Sequence, residues 1–164
     1  MIPQIKKILY ATDLSKNSAY AFYYAVDMAK KHDAKIVFLH AIEPIPASAY
    51  GTYTDKLERG EQEASMEVIR NRLRNFCEKA EEKDNLACLA LVSRIVVRVG
   101  YPVEEILKAA DEEGCDVIVL GNHGKGFLQQ TFLGSISRSV LDRTRKPVFI
   151  VPLPPEEVSF WDEM

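Results

Sequence analysis

Residues Gly121 to Ser137 read GNHGKGFLQQTFLGSIS and follow directly on the apolar run Val117-Ile118-Val119-Leu120. Gly121 is followed after two residues by Gly124, and Gly124 after nine by Gly134, with Ser135 next in line. A strand that runs into a glycine-rich loop and then into a helix start is a common way of holding phosphate. The glycines let the backbone come close, and the first amides of the helix point outward with a partial positive charge. The string is not G-x-x-x-x-G-K-[ST], and its glycines do not have the dinucleotide spacing or follow a first strand. What it predicts is a strand, a phosphate-contacting loop and a helix beginning at Ser135.

Working outward, the same alternation recurs. Ile5–Ala11 reads as a first strand, and its near-continuous apolar centre suits a strand covered on both faces. Ser15 is placed to cap a helix over about 17–32, where Ala21, Ala25, Met28 and His32 share one face. Ala34–Ile42 is a second strand. A long helix over about 55–83 buries Ile69, Leu73, Phe76 and Ala80. Its charged residues, Arg70, Arg72 and Arg74 among them, read as a solvated face. A third strand lies within Leu91–Val99. Pro102 suits the first position of the next helix, over about 103–113, and Gly114 suits the position just past its end. Asp116–Leu120 is the fourth strand, Ser135 to about Thr144 the last helix and Pro147–Val151 the fifth strand. The connection from Glu43 to Thr54 is irregular, with two prolines, and reads either as a flap or as a mobile loop. Strand and helix alternating in this way predict an α/β domain, a doubly wound five-stranded parallel sheet with helices on both faces. It should span residues 1–153, with 154–164 an acidic tail. In such a sheet the ligand sits beyond the carboxyl ends of the strands.

The formal net charge of −3 argues against a surface that coats nucleic acid. No apolar run approaches the roughly 18 residues of a membrane span. The three cysteines, Cys77, Cys88 and Cys115, are odd in number and form no C-x-x-C pair, so they read as reduced thiols of a cytoplasmic protein. No cluster of His, Cys, Asp and Glu has the spacing of a metal site, so any metal would arrive as the magnesium of a nucleotide.

Four segments together resemble the universal stress protein family. They are the Gly-x2-Gly-x9-Gly-Ser loop after the fourth strand, the opening Lys6-Lys7-Ile8-Leu9-Tyr10-Ala11-Thr12-Asp13-Leu14-Ser15, the strand end Leu39-His40-Ala41-Ile42 and the closing Lys146-Pro147-Val148-Phe149-Ile150-Val151. The full glycine pattern resembles the family's ATP-binding branch. The resemblance implies the strand order 3-2-1-4-5, a site for ATP, AMP or ADP, and a role as a stress-response or signalling module acting through an unidentified protein partner. It implies that Ala11 lines the base pocket, that Asp13 faces the adenosine and that the backbone of Ala41 reads the adenine edge. Gly121, Asn122, His123, Gly124, Lys125 and Gly126 would wrap the ribose and phosphates. Gly134, Ser135, Ile136 and Ser137 would supply donors to the phosphates. It also implies a homodimer through the strand Pro147–Val151.

Each side chain keeps a second reading. Asp13 could instead cap the first helix, Lys125 could be a surface lysine, and His123 could be a general base in a slow ATPase rather than a neighbour of phosphate. Against the enzyme, no paired carboxylates accompany the loop. His32 and His40 read as structural.

Overall fold

The computed structural model describes residues 1–46, 48, 53–84, 88–122 and 133–152. His123, Gly124, Lys125 and Gly126 of the predicted loop, most of the tip of the long second connection, and the predicted tail from residue 154 lie outside these residues.

The described chain runs β1 (Lys7–Thr12), α1 (Lys16–His32), β2 (Lys35–Ile42), α2 (Thr54–Asp84), a single 3-10 turn (Cys88–Leu91), β3 (Val92–Val99), α3 (Pro102–Glu112), β4 (Val117–Gly121), α4 (Ser135–Arg143) and β5 (Val148–Val151). The five strands form one sheet in the order β3-β2-β1-β4-β5, and every pairing is parallel. The predicted doubly wound sheet and its order are thus present.

Local chemistry explains the boundaries. Ser15 caps α1, its hydroxyl accepting from the Ser18 amide at 3.2 Å. The helix ends on Asp33 in the left-handed region (φ 51°), with Lys30, Lys31 and His32 at the negative end of the dipole. Pro102 opens α3, where its missing N–H is no loss, and Gly114 (φ 65°) follows its end.

Side chains of successive strand residues alternate between two cores. From β1, Ile8 and Tyr10 face α1 and α2 and meet Phe22, Phe38, Ile69, Leu73 and Phe76. The rings of Tyr10 and Phe38 meet edge to face at 4.8 Å, and those of Phe22 and Phe76 at 5.1 Å. Leu9 and Ala11 face the other side with Val37, Leu39, Ile106, Ala109, Ile118 and Val140. Ala21, Ala25 and Ala29 are wholly buried, which lets α1 lie close on the sheet.

Asp116, just ahead of β4, stitches the amino ends of the two central strands. Its Oδ2 accepts from the amides of Lys6 at 2.8 Å and Lys7 at 2.9 Å, and its own amide donates to the Lys7 carbonyl. The Lys6 amide above all, then that of Lys7, holds this carboxyl below its ordinary value.

The cysteines depart from expectation. Cys77, near the end of α2, and Cys88, in the 3-10 turn, are both buried and paired as a disulfide with Cα atoms 5.1 Å apart. The pairing joins two elements that sit on the same core, which neither the odd count nor the spacing of the cysteines reveals. Only Cys115 keeps its thiol; burial, the largest influence, pushes that group up to about 11.

Two outcomes follow. Asp116→Ala should lower stability by roughly 1 kcal/mol at neutral pH, through loss of the acceptor for two amides. Because the folded carboxyl titrates below its unfolded value, this difference should be complete above about pH 4 and vanish as pH falls through the lowered value; urea melts of both proteins across that range check it. Denatured protein alkylated without reductant should carry one label, on Cys115, and three after reduction, as read by mass spectrometry. Reduction should also lower stability by about 2–3 kcal/mol, the loop being short.

Candidate functional site

The strand order reverses between β1 and β4, since the chain leaves β1 toward β2 on one side and returns to β4 on the other. Tyr10 lies opposite Val119, so the carboxyl ends of these strands emerge side by side. That end of the sheet carries most of the predicted residues that are described.

The β1–α1 loop is built from its own side chains. The Thr12 hydroxyl accepts from the Leu14 amide at 3.0 Å and pairs with the Ser18 hydroxyl at 2.6 Å. Asp13 Oδ1 accepts from the Ser15 amide at 2.9 Å. Leu14 between them is left-handed, with φ 63°, a region that L residues other than Gly, Asn and Asp seldom occupy. The Leu14 carbonyl accepts from Arg72 Nη1 at 2.7 Å. Beneath the loop, Tyr10 donates its hydroxyl to the Ser18 carbonyl at 2.8 Å, and burial raises its pKa far above the usual tyrosine value. Asp13 therefore serves α1, by holding the amide of its capping residue, while standing at the strand end.

Ala11 is buried in β1. His40 in β2 lies opposite Thr12, and its Nδ1–H donates to the Thr12 carbonyl at 2.8 Å, which fixes the tautomer with the proton on Nδ1. Ala41, the next residue, is half-buried at the end of β2.

The two ends of the glycine-rich loop are clasped. The Gly134 amide donates to the Asn122 carbonyl at 3.0 Å, and the Asn122 amide donates to Val151 at 2.8 Å. Ser137, buried in the first turn of α4, donates its hydroxyl to the Gly121 carbonyl at 3.0 Å. The N-cap of α4 is Gly134, so Ser135 is the first helical residue and does not itself cap the helix. Ser135 and Ile136 are exposed, and no acidic residue stands in that turn. The positive end of the helix dipole is left without a compensating carboxylate in the helix itself.

The structure therefore brings Ala11, Asp13, Ala41, Gly121, Asn122, Gly134, Ser135, Ile136 and Ser137 to one end of the sheet. Sequence reading missed Thr12, Ser18 and Arg72, and it assigned Arg72 to a solvated face. Arg72 is half-buried, and its place three residues after Ile69 and four before Phe76 puts it beside the buried stripe. That spacing was the available signal. A separate polar groove of about 600 Å³ lies beyond β3, between Asp55, Arg59 and Gln62 of α2 and Glu105 and Lys108 of α3. There Arg98 is paired with Glu112 at 2.7 Å. Among the described residues no His, Cys, Asp and Glu group could hold a metal ion, and no helix is long and apolar enough to cross a membrane.

Comparison with known proteins places this geometry. The model of the universal stress protein family matches residues 4–152. Universal stress protein MJ0577 of Methanocaldococcus jannaschii is 31% identical over 152 residues, covering 89% of this chain and 94% of its own. The structure of MJ0577 superposes with a TM-score of 0.76 at 26% identity, over 94% of this chain and 100% of that one. A universal stress protein of Thermus aquaticus is 34% identical over 149 residues, covering 89% of this chain and 98% of its own. A universal stress protein solved in complex with cAMP has a TM-score of 0.56 at 26% identity, over 92% of this chain and 98% of that one. The chain belongs to the universal stress protein family.

Proposed function

We propose that this protein binds an adenine nucleotide, ATP by preference, at the carboxyl ends of β1 and β4, and that the bound nucleotide favours one conformation or one protein complex in a stress response. The observation that carries the proposal is the meeting of three features at one strand-order reversal: the Asp13 loop, the clasped ends of the glycine-rich loop and the start of α4. A relative at 26% identity was solved with cAMP, which supports an adenine ligand of this general kind.

The donor set fits such a ligand. The exposed first turn of α4 suits phosphate, Gly134 lending only its lack of a side chain because its amide is held by Asn122, and Asp13 can accept from a ribose hydroxyl. In this reading Ala11 and the backbone of Ala41 flank the base. Gly121, Asn122, His123, Gly124, Lys125 and Gly126 wrap the ribose and phosphates, and Ser135, Ile136 and Ser137 approach the phosphates from the helix. Ser137 contributes by its amide, because its hydroxyl is donated to Gly121. Magnesium would be held by the phosphates themselves. A population shift of this sort requires only that the nucleotide bind one state better than the other. In this reading the site acts as a grip on the nucleotide. A cytoplasmic location belongs to the same proposal, although the paired cysteines remove one of its supports.

The proposal includes a homodimer through β5. This strand is an edge of the sheet, and Phe149 is 40% exposed beside Tyr24, 39% exposed, with ring centroids 5.9 Å apart. An apolar edge of this kind needs cover, and a second copy pairing across a two-fold axis provides it.

Both parts are open to measurement. Titration calorimetry should show ATP binding to the purified protein, and Gly124→Val should weaken it by about tenfold or more, equivalent to about 1.4 kcal/mol; undiminished affinity in that variant would remove the loop from the site. Light scattering on eluting protein should give a dimer mass for the natural chain and a monomer mass for Phe149→Asp. A monomer in both would end the β5 interface.

A further inference from the structure

We propose that Arg72 of α2 is a positioning residue for the nucleotide site, holding the β1–α1 loop in the one conformation that presents Asp13 to the ligand. The inference rests on the nucleotide reading above and extends it to a residue on a helix that has no other place in that site.

Three observations carry it. The first is reach: Arg72 Nη1 donates at 2.7 Å to the carbonyl of Leu14, a residue 58 positions away in the chain. A charged donor makes this bond stronger than a neutral one would. The second is strain. Leu14 is left-handed (φ 63°), a conformation that is unfavourable for a leucine and persists only where its surroundings impose it. Its two peptide groups are pinned separately, the amide by the Thr12 hydroxyl at 3.0 Å and the carbonyl by Arg72. Thr12 and Leu14 are the neighbours of Asp13 on either side, so fixing both fixes its backbone, and the Ser15 amide, donating to Asp13 Oδ1 at 2.9 Å, then sets the direction of the side chain. The third is anchorage. Arg72 lies between Ile69 and Leu73, both buried in the core against α1 and the sheet, so its guanidinium is delivered from a rigid helix.

The charge is well placed too. Burial and then the hydrogen bond from Thr12 weigh most on the Tyr10 hydroxyl; of the charges, Asp13 pushes that group up and Arg72, the weaker, pulls it down, so both charges act on one neighbourhood. A cation there offsets the carboxylate of Asp13 at a site meant for a polyanion. Arg72 does not touch the nucleotide in this scheme; it acts through Asp13.

A double-mutant cycle separates this from a general loss of stability. ATP affinity is measured for Arg72→Gln in the natural background and in the Asp13→Ala background, with Arg72→Lys as the conservative control. Arg72→Gln should weaken ATP binding about fivefold in the natural background and less than about twofold when Asp13 is absent. Arg72→Lys, which keeps a cationic donor, should recover most of the loss. Equal losses in both backgrounds would overturn the proposal, as would no loss in either.

The loop is also read without any nucleotide, by amide hydrogen exchange. Exchange at Leu14 and Ser15 should be about tenfold faster in Arg72→Gln, with the core of β1 unchanged. Unaltered exchange at those two amides overturns the inference whatever ATP does. If exchange responds but the natural protein binds neither ATP nor cAMP, the loop is held by Arg72 and the nucleotide reading is the part that fails.

Discussion

β1 is enclosed on every side, and the rest of the molecule follows from that. It has hydrogen-bonded neighbours on both edges, β2 and β4, and packed helices on both faces. Ile8, Leu9 and Tyr10 have no exposure at all. Such a strand can meet solvent only at its ends, so whatever polar chemistry it supports must lie there. At the amino end the chain spends its polar groups on Asp116, which ties β1 to β4. At the carboxyl end it leaves a short polar loop beside the loop that leaves β4. The direction of a parallel sheet then decides which end holds the ligand, because each crossover returns to the amino end and the loops that begin the helices collect at the other.

Much of this was legible in the chain. The alternation of short apolar runs with helical spacing gave the architecture, and Ser15, Pro102 and Gly114 gave three helix boundaries by local chemistry alone. What escaped depends on contacts between distant residues. Cys77 and Cys88 meet because α2 and the turn after it lie on one core, and the cysteine count argued the other way. Arg72 belongs by charge to the outer face of α2, and only its position beside Ile69 and Leu73 hints at a buried stem. A fixed periodicity is visible in one dimension, whereas a hydrogen bond spanning 58 residues is not.

The two walls of the candidate site are rigid for different reasons. On the β4 side the clasp is made of backbone: Gly134 to Asn122, Asn122 to Val151, with the Ser137 hydroxyl on Gly121. The clasp closes the base of the glycine-rich loop, so the residues between 122 and 134 begin and end at fixed points a hydrogen bond apart. On the β1 side the wall is made of side chains, Thr12, Asp13, Ser15, Ser18 and Arg72, around one left-handed leucine. Beside the backbone clasp stand the first amides of α4, uncharged and oriented by the helix dipole, which suits phosphate. A carboxylate held by its loop suits hydroxyls. The asymmetry of the walls is thus the asymmetry that the proposed nucleotide requires, with its anionic end toward α4 and its sugar toward β1.

The same asymmetry bears on how a bound molecule could be sensed. The β4 wall continues directly into β5, through the bond from the Asn122 amide to Val151. β5 is an edge strand, and it carries the exposed Phe149. The β1 wall continues through Arg72 into α2, whose far end is fastened by Cys77 to Cys88. The two walls thus lead to different parts of the fold, one to an exposed edge and one to a helix whose end is cross-linked. Under the proposed function, the base of the glycine-rich loop and the β5 edge are joined by one hydrogen bond, whereas α2 is joined to the site only through Arg72.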